Sequence, residues 1–151
     1  MSPFQKFMMK TVTRLHVWLY RTTSGAIGAK MRNVEMLLLT TTGRKSGQAR
    51  TVPLLFVPDG AEEHGGALVV VGSKAGAPKH PAWYLNLTAN PEVTIQHRKD
   101  VKKMTAETVN EEDKARLWPL LVTQWPDYAN YQKKTDRPIP VIRLTPVAPA
   151  S

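Results

Sequence analysis

Apolar positions at the start of the chain recur with helical spacing. Phe4, Phe7, Met8, Thr11, Val12, Leu15, Trp18 and Leu19 fall on one stripe, while Gln5, Lys6, Lys10, Arg14 and Arg21 lie largely off it. The spacing predicts an amphipathic helix, which Gly25 and Gly28 end by offering backbone freedom. Two readings of the stripe follow. It either packs on the rest of the domain or, since Lys and Arg flank a face rich in Phe, Trp and Met, lies in a membrane interface.

Beyond this helix the period shortens. Residues 34–41 (VEMLLLTT), 51–57 (TVPLLFV), 67–72 (ALVVVG), 93–97, 101–108 and 139–144 (IPVIRL) read as strands. The second closes at Pro58-Asp59-Gly60, a turn signal. Residues 93–97 and 101–108 alternate, are more polar and look like an antiparallel pair. Two helical pieces intervene: residues 80–88, ended by Asn90-Pro91, and residues 111–123, with Asn110 as N-cap and Glu111, Glu112 and Asp113 at the positive end. Pro119 should kink or split the second. Strands joined by short turns argue against a doubly wound sheet. The expectation is a mainly β fold with some α: a small barrel of about six antiparallel strands, an N-terminal amphipathic helix and further helices outside. A chain of 151 residues fits one domain over residues 1–151, with helix and linker in 1–30 and a flexible tail in 146–151.

Composition excludes some chemistry. No cysteine is present, so disulfides and Cys-ligated zinc or iron–sulfur clusters are out. No apolar run reaches the roughly 18–20 residues of a membrane span, and no signal-peptide pattern opens the chain. The expected setting is cytoplasmic, with peripheral contact at the inner face of the cell membrane if the helix is interfacial. The net charge of +9 and pI of 10.0 attract polyanions: nucleic acid, anionic lipid or a phosphorylated small molecule.

The position of those charges narrows the choice. Residues 42–50 (TGRKSGQAR) link two strands and hold Arg44, Lys45 and Arg50 as cations, Ser46 and Gln48 as neutral donors, and Gly43 and Gly47 as turn-makers that expose backbone N–H groups. This suits phosphate or carboxylate recognition, though a solvated hairpin tip would look similar. A second basic element, Gly72, Ser73, Lys74, Ala75 and Gly76, then Lys79 and His80, follows another strand and could converge on the same ligand. Trp125, Tyr128 and Tyr131, spaced by threes after the opening Pro126, share a face of a short helix. They form either core or a wall over a planar ligand, and the tyrosines carry donatable protons. His16, His64, His80 and His97 show no metal spacing, and neither GxSxG nor GxGxxG occurs. Chemistry carried by an organic cofactor is what remains.

Three runs, LLLTTTGRKSGQARTVPLLFV, VVVGSKAGAPKHPAWYLNLTANPEV and RLWPLLVTQWPDYANYQKKTDRPIPVIRL, resemble the deazaflavin-dependent nitroreductase family over about residues 34–144. The resemblance implies a split β-barrel oxidoreductase using coenzyme F420, a deazaflavin with a phosphate and polyglutamate tail. It implies that Arg44, Lys45, Ser46, Gln48, Arg50 and Lys74 bind the tail, that Pro53, Leu54 and Leu55 line the ring, and that Gly72, Ser73, Ala82 and Trp83 close around it. It places the substrate against Trp125, Tyr128 and Tyr131, with Tyr128 and Ser73 as catalytic residues. Trp125 stands where the nitroimidazole-reducing member carries tyrosine, which removes a hydroxyl and adds bulk. The implied reaction is hydride transfer to a small electron-poor acceptor such as a quinone, an activated alkene (an enone or coumarin) or a nitro compound. No metal and no nucleic acid are implied, and the expected state is a monomer or weak dimer. An FMN-binding split barrel and a basic nucleic-acid-binding barrel are the alternatives.

Overall fold

A computed structural model describes residues 2–31, 34–60 and 66–147 of the 151-residue chain. Eight strands are assigned there: β1 (Lys30–Met31), β2 (Val34–Thr42), β3 (Ala49–Leu55), β4 (Val57–Pro58), β5 (Leu68–Val71), β6 (Glu92–His97), β7 (Asp100–Thr108) and β8 (Val141–Pro146). All recorded pairings are antiparallel, and the order runs β3-β2-β6-β7-β8-β5-β4, with β1 on the start of β2. β3 and β4 are one extended run broken only at Phe56, so both ends of that order belong to one strand and the sheet curls into a barrel. Counting β3 and β4 together, the circuit has the expected six strands. Along its length β3 pairs with β2 alone, and this open seam toward β5 is where the barrel is split. Pro53, which cannot donate to a ladder, is tolerated on such a one-sided strand.

Alternation then sorts the side chains. Leu37, Leu39, Val70, Ile95, Met104, Ile142 and Leu144 fill the interior, where Val52, Leu54 and Leu68 join them. Val69, Val71 and Val141 face outward beneath two helices, α3 (Glu111–Gln124) and α4 (Asp127–Lys133), against Leu117, Leu121, Trp125 and Tyr128. The continuous apolar run of β5 is thus explained by cover on both faces. The third helix in space, α2 (Ala82–Ala89), adds Trp83 and Leu87 to the interior.

Several boundaries differ from the sequence reading. The turn expected at 58–60 begins later, because Pro58 is in β4 and the Asp59 carboxylate is buried against Arg143 (2.9 Å) and Arg116 (3.1 Å). Arg143 also holds Glu107 and Asp113, each at 2.8 Å, so Asp113 anchors α3 to β8 besides favouring its N-terminus. Pro119 does not split α3. α2 starts at Ala82, after Pro81 rather than at His80. Pro146 belongs to β8 and the Val147 N–H still donates to the Lys103 carbonyl, while residues 148–151 of the expected tail, like His64, lie outside the described residues.

The N-terminal helix, α1 (Pro3–Thr22), is opened by a capping box in which the Ser2 hydroxyl accepts from the Gln5 N–H and the Gln5 carboxamide accepts from the Ser2 N–H. Its stripe does not pack on the barrel. Phe4 is 71% and Trp18 59% exposed, and Phe7, Met8, Val12 and Leu15 are open as well. Contact is made by two residues outside the stripe, Val17 and Tyr20, with Ala29 and Leu38. The Tyr20 hydroxyl donates toward the Met36 carbonyl (3.0 Å) and accepts from the Arg98 N–H (2.8 Å). The Arg98 guanidinium in turn donates to the Gly25 carbonyl (2.7 Å) and Glu35 (2.8 Å). One end of α1 is therefore locked while the rest projects.

Candidate active site

The hairpin between β2 and β3 carries the basic loop, residues 43–48. The Gly43 N–H donates to the Gln48 carbonyl and the Gly47 N–H to the Gly43 carbonyl, both at 2.8 Å. Gly47 has φ +71°, and a Cβ on Gly43 would sit 2.6 Å from the Ser46 hydroxyl, so the tight turn requires glycine at both positions. Arg44, Lys45, Ser46, Gln48 and Arg50 are exposed, and none of the three cations forms an ion pair among the described residues. Asn86 of α2 fixes the stem. Its nitrogen donates to the Thr41 hydroxyl and its oxygen accepts the Arg44 N–H, both at 3.1 Å.

The second basic element is a left-handed turn. Ser73 is in the right-handed helical region, then Lys74 (φ +44°), Ala75 (φ +53°) and Gly76 (φ +79°) all have positive φ. The N–H groups of Ser73, Lys74 and Ala75 have no acceptor among the described residues, and a right-to-left-handed succession of this kind makes an anion-binding concavity. Lys74 is exposed; Ser73 is buried and its hydroxyl has no hydrogen-bond partner among the described residues. Behind the turn, Arg137 donates to the carbonyls of Ser73 (2.7 Å), Ala77 (2.8 Å) and Gly72 (3.1 Å), and to His80 Nδ1 (3.2 Å). Burial lowers the pKa of Arg137; burial first and the facing guanidinium second lower that of His80. No hydrogen bond joins the two basic loops, which α2 connects through Asn86 at one end and residues 77–81 at the other.

The expected ring-lining residues divide between two faces. Leu38 is paired with Pro53 and belongs to the outer cluster under α1, so Pro53 also faces outward, as does Leu55, which packs with Trp125 and Tyr128. Leu54 points into the barrel. Trp83 does too, so its indole is withheld from a ligand on the outer face, whereas Ala82 is exposed at the start of α2 and Gly72 is buried against Pro140. The cause is the pleat of β3 and the use of α2 as cover for the interior. The outer face of β3 runs between α1 and the α3–α4 pair. Arg21 of α1 donates to Thr51 at one end (2.9 Å), Pro53 lies between, and α3 and α4 meet Leu55 at the other end, roughly 13 Å away at 3.3 Å per residue.

At the Leu55 end, Val34, Phe56, Val57, Leu121, Gln124, Trp125 and Tyr128 join Leu55 around a cleft of about 10 Å³. That is room for about one water, so a planar ring would lie across its mouth. Trp125 and Tyr128 are thus both packed and at the wall of a cleft. Tyr131 meets Tyr128 edge to face, with ring centroids 6.2 Å apart. The Tyr128 hydroxyl has no hydrogen-bond partner among the described residues and is not sealed from solvent. Burial, and secondarily Tyr131, push its pKa well above the usual phenol range, so the proton stays on the oxygen. α4 is pressed against the left-handed turn: a Cβ on Gly76 would lie 2.6 Å from the Tyr131 carbonyl. Ser73, Lys74 and the aromatic residues thereby share one side of the molecule.

Sequence reasoning missed Asn86 and Arg137. Asn86 had a signal, as the one amide in the otherwise apolar helix AWYLNLTA; Arg137, in an irregular segment, had none. Among the described residues no group of three His, Asp or Glu could hold a metal. Cations without an ion pair and N–H groups without an acceptor among the described residues, on two turns, beside an apolar cleft at Leu55, fit a ligand with an anionic tail and a planar head.

Residues 12–146 match the family model described as F420H(2)-dependent quinone reductase. An F420H(2)-dependent quinone reductase of Mycobacterium tuberculosis (strain ATCC 25618 / H37Rv) is 43% identical over 136 residues, covering 87% of this chain and 88% of that protein. A solved F420-H2 dependent reductase (FDR-A) is 45% identical, with a TM-score of 0.63 over 72% of this chain and 92% of that one. A structure described as a domain-swapped dimer is 39% identical, with a TM-score of 0.67 over 95% of this chain and 99% of that one. The family description and the name of the tuberculosis relative give a quinone as the acceptor; nitro compounds and activated alkenes are not named. F420 is the cofactor that the family description and these names give. On these likenesses the chain belongs to the F420H(2)-dependent quinone reductase family.

Proposed function

We propose that this protein reduces a quinone with F420H2 on the outer face of β3, and that Tyr128 protonates the reduced acceptor. The observation that carries the reading is the placement of Tyr128: it lines the cleft with Leu55 and Trp125, and its hydroxyl has no hydrogen-bond partner among the described residues. Reduced F420, when bound, supplies a hydride. Arg44, Lys45, Ser46, Gln48, Arg50 and Lys74 hold its anionic tail, while Pro53 and Leu55 support the ring. Trp125 and Tyr131 confine the acceptor over that ring, which is catalysis by positioning. The Ser73 hydroxyl orients an acceptor oxygen. Tyr128 gives its proton to the oxygen that has gained the electron pair, completing the hydroquinone, and is reprotonated from solvent. Tyr128→Phe should lower kcat by about ten-fold or more while F420 affinity stays within a few-fold. Unchanged turnover would remove Tyr128 from the chemistry.

We infer further that α1 seats on an anionic lipid surface, where a lipid-soluble quinone is met. The helix carries Lys6, Lys10, Arg14 and Arg21 and no acidic residue, and its Phe, Met and Trp side chains are open. No helix among the described residues is long and apolar enough to cross a membrane. Deleting the helix would also remove the Tyr20 anchor, so the test is the triple substitution Phe4→Ser, Phe7→Ser and Trp18→Ser. The wild type should cosediment with phosphatidylglycerol vesicles and the variant should not. Equal behaviour of the two, or a stripe buried in a stable dimer by light scattering, would overturn this.

A further inference from the structure

The turn at residues 73–76 is costly to maintain. Lys74 and Ala75 both hold positive φ without being glycine, a conformation that persists only where the surroundings over-determine it. Arg137 provides that constraint. Its Nε, Nη1 and Nη2 reach the carbonyls of Ala77, Gly72 and Ser73, using the planar fork that lysine lacks.

The consequence follows from peptide geometry. The peptide bonds of this turn are trans, so in each unit the C=O and the following N–H point in opposite directions. With the Gly72 and Ser73 carbonyls drawn to the guanidinium, the N–H groups of Ser73 and Lys74 are turned away from it. Neither has an acceptor among the described residues. Resting on the reading of this turn as part of the tail clamp, we propose that Arg137 is a positioning residue for cofactor binding: from behind the turn it aims the Ser73 and Lys74 N–H groups at the phosphate-bearing tail. A cation thus serves an anion site without touching the anion.

The test compares F420 with a deazaflavin lacking the phosphate tail, titrated by fluorescence against the wild type, Arg137→Lys and Arg137→Gln. Wild type should prefer F420. Both variants should lose roughly ten-fold in F420 affinity, as expected for mis-set charge-assisted hydrogen bonds, with affinity for the tail-less compound unchanged. The KM for F420H2 should rise by the same factor as its dissociation constant. A wild type that does not discriminate between the compounds sinks the tail-clamp reading and this inference with it. Discrimination that survives in Arg137→Lys, or equal losses for both compounds, overturns the role of Arg137 alone. Should the variants fold poorly, amide NMR of the wild type decides. F420 should shift the Ser73 and Lys74 N–H resonances downfield, and unmoved resonances would overturn the proposal.

Discussion

Asn86 and Arg44 are joined across two elements: the buried carboxamide oxygen of Asn86 on α2 accepts the Arg44 N–H at 3.1 Å, while its nitrogen holds the Thr41 hydroxyl. A helix that covers the barrel interior is thereby fastened to the stem of the basic hairpin. Asn86→Leu should leave both groups unsatisfied and destabilise the fold by about 1–3 kcal/mol. F420 affinity should fall several-fold as the loop loosens, measured by fluorescence titration beside a denaturation curve.

Lys45 and Arg50 form no ion pair among the described residues, so reversing their charge should act on ligand affinity more than on stability. Lys45→Glu or Arg50→Glu should weaken F420 binding at least ten-fold at low salt, less at high salt as screening grows. The ranking of quinone acceptors should be unchanged. A steady-state acceptor panel checks this, and an altered ranking would place the loop in the acceptor site.

Much of this could be read from the chain. The hairpin was legible because glycine, charge and flanking strands are all local signals. The aromatic residues were legible through their spacing. Which face of β3 is functional was not, since Leu54 and Leu55 differ only in the direction of the pleat. Arg137 and Asp59 were equally opaque, because each acts on partners more than fifty residues away. The stripe on α1 was visible, but its exposure depends on Tyr20 making the contact.

Asp59 is fully buried between Arg143 and Arg116. Asp59→Asn removes the charge but not the volume, leaving Arg143 to Glu107 and Asp113 alone. Breaking a buried pair from one side should cost about 3 kcal/mol, read as a lower urea midpoint at unchanged m-value.

The lock on α1 is pH-dependent. Hydrogen bonding from Arg98, opposed by burial and helped by His97, holds Glu35 below its ordinary carboxylate range. A depressed pKa contributes stability that is complete above the unfolded value and is lost as pH falls through the folded one. Thermal unfolding should show Glu35→Gln less stable than wild type at pH 7, with the two curves converging below about pH 4. A constant gap down to pH 3 would assign the stabilisation to packing.

The alternation of β3 separates two kinds of variation. Positions 52 and 54 face the barrel interior and 53 and 55 its outer face, where α4 packs beyond Leu55. An engineer can therefore treat robustness and selectivity as separate design problems on one scaffold. Libraries at interior positions are expected to move thermal tolerance and leave the range of accepted quinones alone. Libraries on α4 are expected to do the reverse.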